Sequence, residues 1–331
     1  MLNSELKLNP KVFDDDVEQI PTRNGYGEGL LIAGEENPNV VALSADLTES
    51  TRAEAFAEKF PERFFEVGVA EQNMATIAAG LGISGKVPFI SSYATFSPGR
   101  NYEQIRTTIA YNDANVKVAG HHAGISVGPD GATHQATEDV AIMRAMPNMK
   151  VIVPCDAIEA KKATLAAAKL WGPVYLRFGR EKSPVITSEE TPFTPGKAFI
   201  LWEPKGKKTD VAIVGCGMLL HHALLAAQAL EKEKIHVLVV NSHTVKPLDE
   251  HTILAAAKKA GAVVSVEEHQ IAGGLGGAIA ELLARRAPTP MEFVGLEDTF
   301  GESGKPEELL EKYGMGVDSI IKAVKKVLRR K

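Results

Sequence analysis

Cysteine is nearly missing from this sequence: Cys155 and Cys216 are the only two among 331 residues. They lie far apart and in no Cys-x-x-Cys or Cys/His pattern, which excludes a disulfide framework and a structural zinc site. Both fall at the ends of apolar runs and are expected to be buried thiols. Long hydrophobic runs are missing as well, since none approaches the roughly 18 residues of a membrane span. The first seven residues, Met1 to Lys7, are polar and mixed in charge rather than an apolar signal core. A cytoplasmic protein with no membrane partner is the expectation. Nor is there an excess of charge of one sign. A net charge of -5 and a pI near 6.0 leave no basic footprint for nucleic acid. A few arginines in one cleft can still hold a phosphate ester. No repeat or low-complexity tract is visible. The stretch Gly273-Gly274-Leu275-Gly276-Gly277 lacks both the G-x-G-x-x-G spacing and the Gly-Lys-Ser/Thr ending of a phosphate loop. It is read as a tight loop that lets a helix pack closely.

What is present is an alternation of short β-branched runs with longer amphipathic stretches, the pattern of parallel sheets covered by helices. Strand candidates are Val40-Val41-Ala42-Leu43, Phe64-Phe65-Glu66-Val67, Val87-Pro88-Phe89-Ile90, Val116-Lys117-Val118-Ala119, Val151-Ile152-Val153 and Val174-Tyr175-Leu176-Arg177. Helix candidates between them include Arg52 to Lys59, Glu71 to Leu81, Tyr102 to Tyr111 and Ala157 to Leu170. Prolines, threonines and glutamates from Ser183 to Gly196 interrupt the pattern, as a linker does. It restarts with Val211 to Gly215, Val237 to Val240, Val263 to Val266 and Phe293 to Leu296, with helices after Met218, Leu248 and Gly276. The expected fold is α/β with two parallel-sheet domains: an N-terminal extension over 1–19, a first domain over 20–190 and a smaller one over 191–331.

The chemistry gathers in loops that follow strands, and in an open α/β sheet those loops share the carboxyl edge where ligands bind. In Phe65-Glu66-Val67-Gly68-Val69-Ala70-Glu71-Gln72-Asn73-Met74 an apolar strand runs into a helix that opens on the carboxylate Glu71. An apolar, dry setting favours a protonated carboxyl, which can then serve as a proton donor near neutral pH. The simpler role is electrostatic, a negative charge at a helix N-terminus. Ser44-Ala45-Asp46-Leu47-Thr48-Glu49-Ser50 follows the first strand and Ser92-Tyr93-Ala94-Thr95-Phe96 the third. The stretch from His121 to Gln135 follows the fourth and is rich in His, Gly and Asp. Within it His122, Asp130 and His134 have spacings of 8 and 4, which match no compact metal motif, and hydrogen bonding to a hydroxylated substrate fits better. His121, His221, His222 and His236 are read as structural.

Three of these loops carry a family resemblance. Val69-Ala70-Glu71-Gln72-Asn73-Met74, Ser44-Ala45-Asp46-Leu47-Thr48 and Gly128-Pro129-Asp130-Gly131-Ala132-Thr133-His134-Gln135, with Glu138 beyond, resemble transketolase in order and spacing. The resemblance runs from about residue 20 to the C-terminus and implies a pyrimidine-binding domain followed by the family's C-terminal domain. It implies thiamine diphosphate as cofactor and transfer of a two-carbon glycolaldehyde unit from a ketose phosphate to an aldose phosphate. Glu71 would hydrogen-bond N1′ of the aminopyrimidine, Tyr93 and Phe96 would pack on that ring, and Asp46 and Leu47 would lie near the cofactor across a subunit contact. Asp130 and His134 would bind donor-sugar hydroxyls, with His134 assisting proton transfer. Arg23, Ser50, His122 and Arg180 would hold the substrate phosphate. The family's Gly-Asp-Gly metal motif is missing here, so the resemblance implies a split enzyme. Its N-terminal subunit would carry the diphosphate and the Mg²⁺ or Ca²⁺ site, with two copies of each chain in a heterotetramer and no metal ligands on this one. Two departures stand out. Gln72 replaces the usual His and also suits deoxyxylulose-phosphate synthases, and Ser97-Pro98-Gly99 leaves only Tyr102 as a substitute for a third aromatic. The β subunit of a 2-oxoacid dehydrogenase and a non-catalytic sugar-phosphate-binding subunit are the competing readings.

Overall fold

Runs such as Val40–Ser44 and Val211–Gly215 are buried along their whole length, as parallel strands covered by helices on both faces must be. The computed structural model describes residues 1–206 and 208–331. Its strands are β1 (Gln19–Pro21), β2 (Val40–Ser44), β3 (Phe64–Glu66), β4 (Val87–Tyr93), β5 (Lys117–His121), β6 (Lys150–Ile152), β7 (Val174–Arg177) and β8 (Lys182–Pro184), then β9 (Phe199–Trp202), β10 (Val211–Gly215), β11 (Val237–Asn241), β12 (Thr244–Lys246), β13 (Val263–Gln270) and β14 (Met291–Leu296). The helices are α1 (Thr22–Glu36), α2 (Glu54–Lys59), α3 (Glu71–Ile83), α4 (Tyr102–Gln104), α5 (Asp139–Ala145), α6 (Ala157–Lys169), α7 (Leu220–Lys232), α8 (Glu250–Ala260), α9 (Leu275–Arg286), α10 (Pro306–Lys312) and α11 (Val317–Leu328); α4 runs on into a π-helical turn over Ile105–Ala110.

Among the described residues the first domain carries a seven-stranded sheet in the order β12-β6-β7-β5-β4-β2-β3, and the second a five-stranded sheet in the order β14-β13-β10-β11-β9. Both are parallel except at one edge, where β12 lies antiparallel to β6 and β9 antiparallel to β11. β12 belongs in sequence to the second domain yet completes the first domain's sheet. The core beneath α3 is likewise continuous with that beneath α8 and α9, through Met143, Val153, Cys216 and Val245. The N-terminal segment packs on the second domain. Its Asn3 N–H donates to the Leu201 carbonyl at 2.9 Å, and Leu6 and Val12 join the core formed by Leu220, Leu224 and Val324. Cys155 and Cys216 are buried free thiols. In the glycine-rich loop, the Glu267 carboxylate fits against Gly274 and accepts the Leu275 and Gly276 N–H groups at 2.8 Å each, which satisfies the start of α9. No described helix is long and apolar enough to cross a membrane.

Helix α1 holds Gly25, Gly27, Gly29 and Gly34, a composition that disfavours an isolated helix. Packing explains them. A Cβ on Gly25 would stand 1.9 Å from the Ala157 carbonyl oxygen, so α1 and α6 can meet only backbone to backbone. Gly25→Ala therefore sets a helix-propensity gain of about 1 kcal/mol against an overpacking cost of about 1–3 kcal/mol. The clash is with main chain, which cannot rotate away, and a net loss of stability is expected in urea unfolding. A midpoint equal to or above that of the parent chain would contradict the tight seam.

Candidate active site

The sheet's carboxyl edge assembles the site. Where β3 ends, Val67 N–H donates to the Ser44 carbonyl at 3.0 Å, and after Gly68 the chain turns directly into α3 at Glu71. That side chain is 1% exposed. Its Oε2 accepts a hydrogen bond from Arg100 Nη1 at 2.7 Å, while Oε1 is buried without a partner among the described residues. The expected apolar setting is thus corrected: the acid is dry but paired with a guanidinium. The turn from Tyr93 to Asn101 brings that guanidinium in. Ser97 N–H donates to the Tyr93 carbonyl at 2.8 Å and Arg100 N–H to the Phe96 carbonyl at 2.9 Å. Asn101 Nδ2 donates to the Glu71 carbonyl at 3.0 Å and ties the turn to α3. Arg100 consequently lies over the Phe96 ring, 4.6 Å from its centre.

Three rings continue from Phe96. Tyr93 stacks on Phe96 at 5.9 Å and on His122 at 4.0 Å, and His134 meets Tyr93 and Phe96 edge-on at 6.2 and 5.4 Å. His122 Nε2 lies 3.2 Å from Arg23 Nη1. A guanidinium only donates, so Nε2 accepts in this contact, which would leave the ring proton on Nδ1, a buried atom without a hydrogen-bond partner among the described residues. Burial, helped by Arg23 and Arg180, lowers the His122 pKa to about 3, which keeps the ring neutral. Arg23 Nη1 also donates to the Ser50 carbonyl at 3.0 Å, and Arg180 Nη1 donates to the Val127 carbonyl at 2.8 Å and to Asp130 Oδ1 at 3.3 Å. Burial first, then the neighbouring charges of Arg52 and Arg180, push the Arg23 guanidinium below its ordinary value. A cluster of guanidiniums repelling one another is a site for an anion.

Glu71, Tyr93, Phe96, His122, His134, Arg23, Ser50, Asp130 and Arg180 therefore form one connected set. Asp46 and Leu47 stand apart at the free edge beyond β2, where Asp46 is exposed and its N–H donates to Glu66 Oε1 at 2.7 Å. Tyr102 packs on the first domain's core and not in the ring stack. Among the described residues no group of three or more His, Cys, Asp and Glu is placed to hold a metal ion. Sequence reasoning missed Arg100 and Arg52. Arg52 lies two residues beyond the Ser44–Ser50 loop, at the start of the stretch read as a helix, and Arg100 is brought to Phe96 by the turn from Tyr93 to Asn101, which no spacing of residue types announces.

The buried histidines carry an acid liability. Burial holds His122 and His243 at about 3 and His121 well below its ordinary value, whereas the unfolded chain takes up protons below about 6.5. Stability from these neutral rings is complete above that pH and is lost as pH falls toward 3, at up to about 1.4 kcal/mol per pH unit for each group. Urea midpoints are expected to drop between pH 7 and 4.5. A flat profile would contradict the neutral assignments.

Two parallel-sheet domains, with a buried acid, a ring stack and a guanidinium cluster along one sheet edge, define an α/β protein with its polar site at the carboxyl edge of the first domain's sheet. Residues 18–185 match the transketolase pyrimidine binding domain and residues 201–320 the transketolase C-terminal domain. The chain belongs to the transketolase family. It is 44% identical over 311 residues to a Methanocaldococcus jannaschii protein described as a transketolase C-terminal section, covering 93% of this chain and 96% of that one. It is 40% identical over 319 residues to the 6-deoxy-6-sulfo-D-fructose transketolase subunit SqwH of a Clostridium species, covering 96% and 98%. A solved structure described as a split gene transketolase, inactive beta4 tetramer, superposes with a TM-score of 0.87 at 46% identity, covering 94% of this chain and 99% of that one. Of human transketolase the chain covers 50%.

Proposed function

We propose that this chain is the C-terminal subunit of a two-chain, cytoplasmic transketolase that moves a glycolaldehyde unit from a ketose phosphate to an aldose phosphate with thiamine diphosphate. The observation that carries this reading is Glu71, whose buried Oε1 lacks a partner among the described residues while Arg100 fixes Oε2 and lies over the Phe96 ring that stacks with Tyr93. An unpartnered buried carboxyl oxygen next to a flat aromatic surface suits one edge and one face of an aminopyrimidine. When bound, thiamine diphosphate supplies the electron sink for carbon–carbon cleavage. The protein supplies orientation. Glu71 would present Oε1 to N1′, and Tyr93 and Phe96 would set the plane of the ring. Asp130, His134 and the free Nδ1–H of His122 hold sugar hydroxyls, and Arg23, Arg180 and Ser50 hold the phosphate. These remote bonds use binding energy to place the reacting carbonyl.

The diphosphate and its Mg²⁺ or Ca²⁺ fall to an N-terminal subunit. Phe65 and Val69, 39% and 68% exposed, flank Glu71 at the free β3 edge beside Asp46 and offer that subunit an apolar landing surface. A heterotetramer of two copies of each chain, joined through a homodimer of this one, is the active assembly this reading expects; the split-gene relative is described as an inactive beta4 tetramer. A second reading concerns only the donor. The guanidinium cluster suits a sulfonate as well as a phosphate, in line with the sulfo-sugar relative. The test is an assay of the two-chain complex against ketose phosphates, a 6-sulfonated ketose and pyruvate. Turnover of pyruvate alone would place the chain instead with the 2-oxoacid dehydrogenases.

A further inference from the structure

The loop that carries Asp130 and His134 is shaped by the other domain. Glu268, on β13 of the second domain, is 5% exposed, and its Oε1 accepts the Ser126 N–H at 2.6 Å. Its own carbonyl is held by Arg177 Nη2 at 2.8 Å, which fixes the strand from which it reaches. Gly124 opens the loop at φ +91°, and a Cβ there would meet the same Glu268 oxygen at 2.3 Å, so carboxylate and loop are fitted to each other. Further along, Gln135 Nε2 donates both to the Ile125 carbonyl at 3.1 Å and to the Glu302 carbonyl of the second domain at 2.9 Å. Gly128 lies against Pro306, and Gly131 against Ser303. None of these second-domain groups belongs to the connected set around Glu71.

We propose that Glu268 is a positioning residue for the donor sugar: through Ser126 it sets the loop that presents Asp130 and His134, so the second domain tunes sugar affinity without touching the sugar. The proposal rests on the sugar-binding roles given to Asp130 and His134 above. A buried acceptor for a loop N–H confers geometry that water would not reproduce, and small misplacements of a binding group are felt strongly in turnover.

The test uses the complex with its N-terminal subunit, thiamine diphosphate and Mg²⁺, and the variants Glu268→Ala, Glu268→Gln and Arg144→Ala. Glu268→Gln keeps an acceptor for Ser126. Arg144→Ala removes the interdomain bonds to Glu281 and to the Gly273 carbonyl, away from the loop. Two quantities are read: amide hydrogen exchange of residues 124–135, and KM for the ketose phosphate beside kcat and the cofactor Kd. Glu268→Ala is expected to speed loop exchange and to raise KM about tenfold, with the cofactor Kd unchanged. Glu268→Gln should restore both, and Arg144→Ala should move neither. An unchanged KM in Glu268→Ala, a Gln variant as impaired as Ala, or an equal KM rise in Arg144→Ala would overturn the proposal. If Glu268→Ala does not assemble, Gln135→Ala reads the same dependence through the second anchor. The functional reading fails separately, when the unaltered complex turns over no ketose. In that event the exchange arm still decides, since unchanged loop exchange in Glu268→Ala overturns the positioning role by itself.

Discussion

Assayed alone, the chain is expected to transfer no ketol unit above background, and to gain turnover only with an N-terminal subunit, thiamine diphosphate and Mg²⁺. The reason lies in what this half can hold. On the proposed reading Glu71, Tyr93 and Phe96 would meet an aminopyrimidine, but the sequence has no Gly-Asp-Gly segment, and the described residues include no cluster placed to bind a metal. A diphosphate with its divalent ion is a concentrated charge that needs such ligands. The edge where the second chain would close the site is open, with Asp46, Phe65 and Val69 all exposed. Turnover by the lone chain at a rate near that of the complex would sink the two-chain reading.

In that complex Glu71→Ala is expected to lower kcat by about 10²- to 10⁴-fold, the range general acid–base groups supply, or about 3–5 kcal/mol of barrier. The fold should survive. Removing one member of a buried ion pair costs about 3–5 kcal/mol when the abandoned charge stays buried, but the side chain of Arg100 is 45% exposed and can turn to water. The stability loss should therefore stay well below the kinetic one, and unfolding curves recorded beside kcat separate the two. Near-normal turnover would remove Glu71 from its role.

Much of this architecture was legible in the residues, for reasons that differ from place to place. Parallel strands such as β2 and β10 declare themselves because both faces are buried and the apolar run is unbroken. Helix α1 is hidden, since its glycines speak against a helix until Ala157 is seen against Gly25. β12 is hidden for another reason. It is three residues long, and its pairing with β6 is a tertiary event that no local pattern records. In the site, Glu71, Tyr93 and Phe96 were each conspicuous. The guanidinium that joins them was not, because Arg100 reaches both Glu71 and Phe96 through the path of the turn from Tyr93 to Asn101 rather than through any spacing of residue types.

The placement of β12 has a mechanical consequence. A segment of the second domain is laced into the edge of the first domain's sheet, with the Val153 N–H held by the His243 carbonyl at 2.7 Å and the Lys246 ammonium anchored on the carbonyls of Arg144 and Met146. The domains cannot swing apart about residues 185–198 without stripping that strand away. Any opening between the two domains must therefore begin by peeling β12 from β6, whereas movement of the loops at the carboxyl edge needs no such rupture.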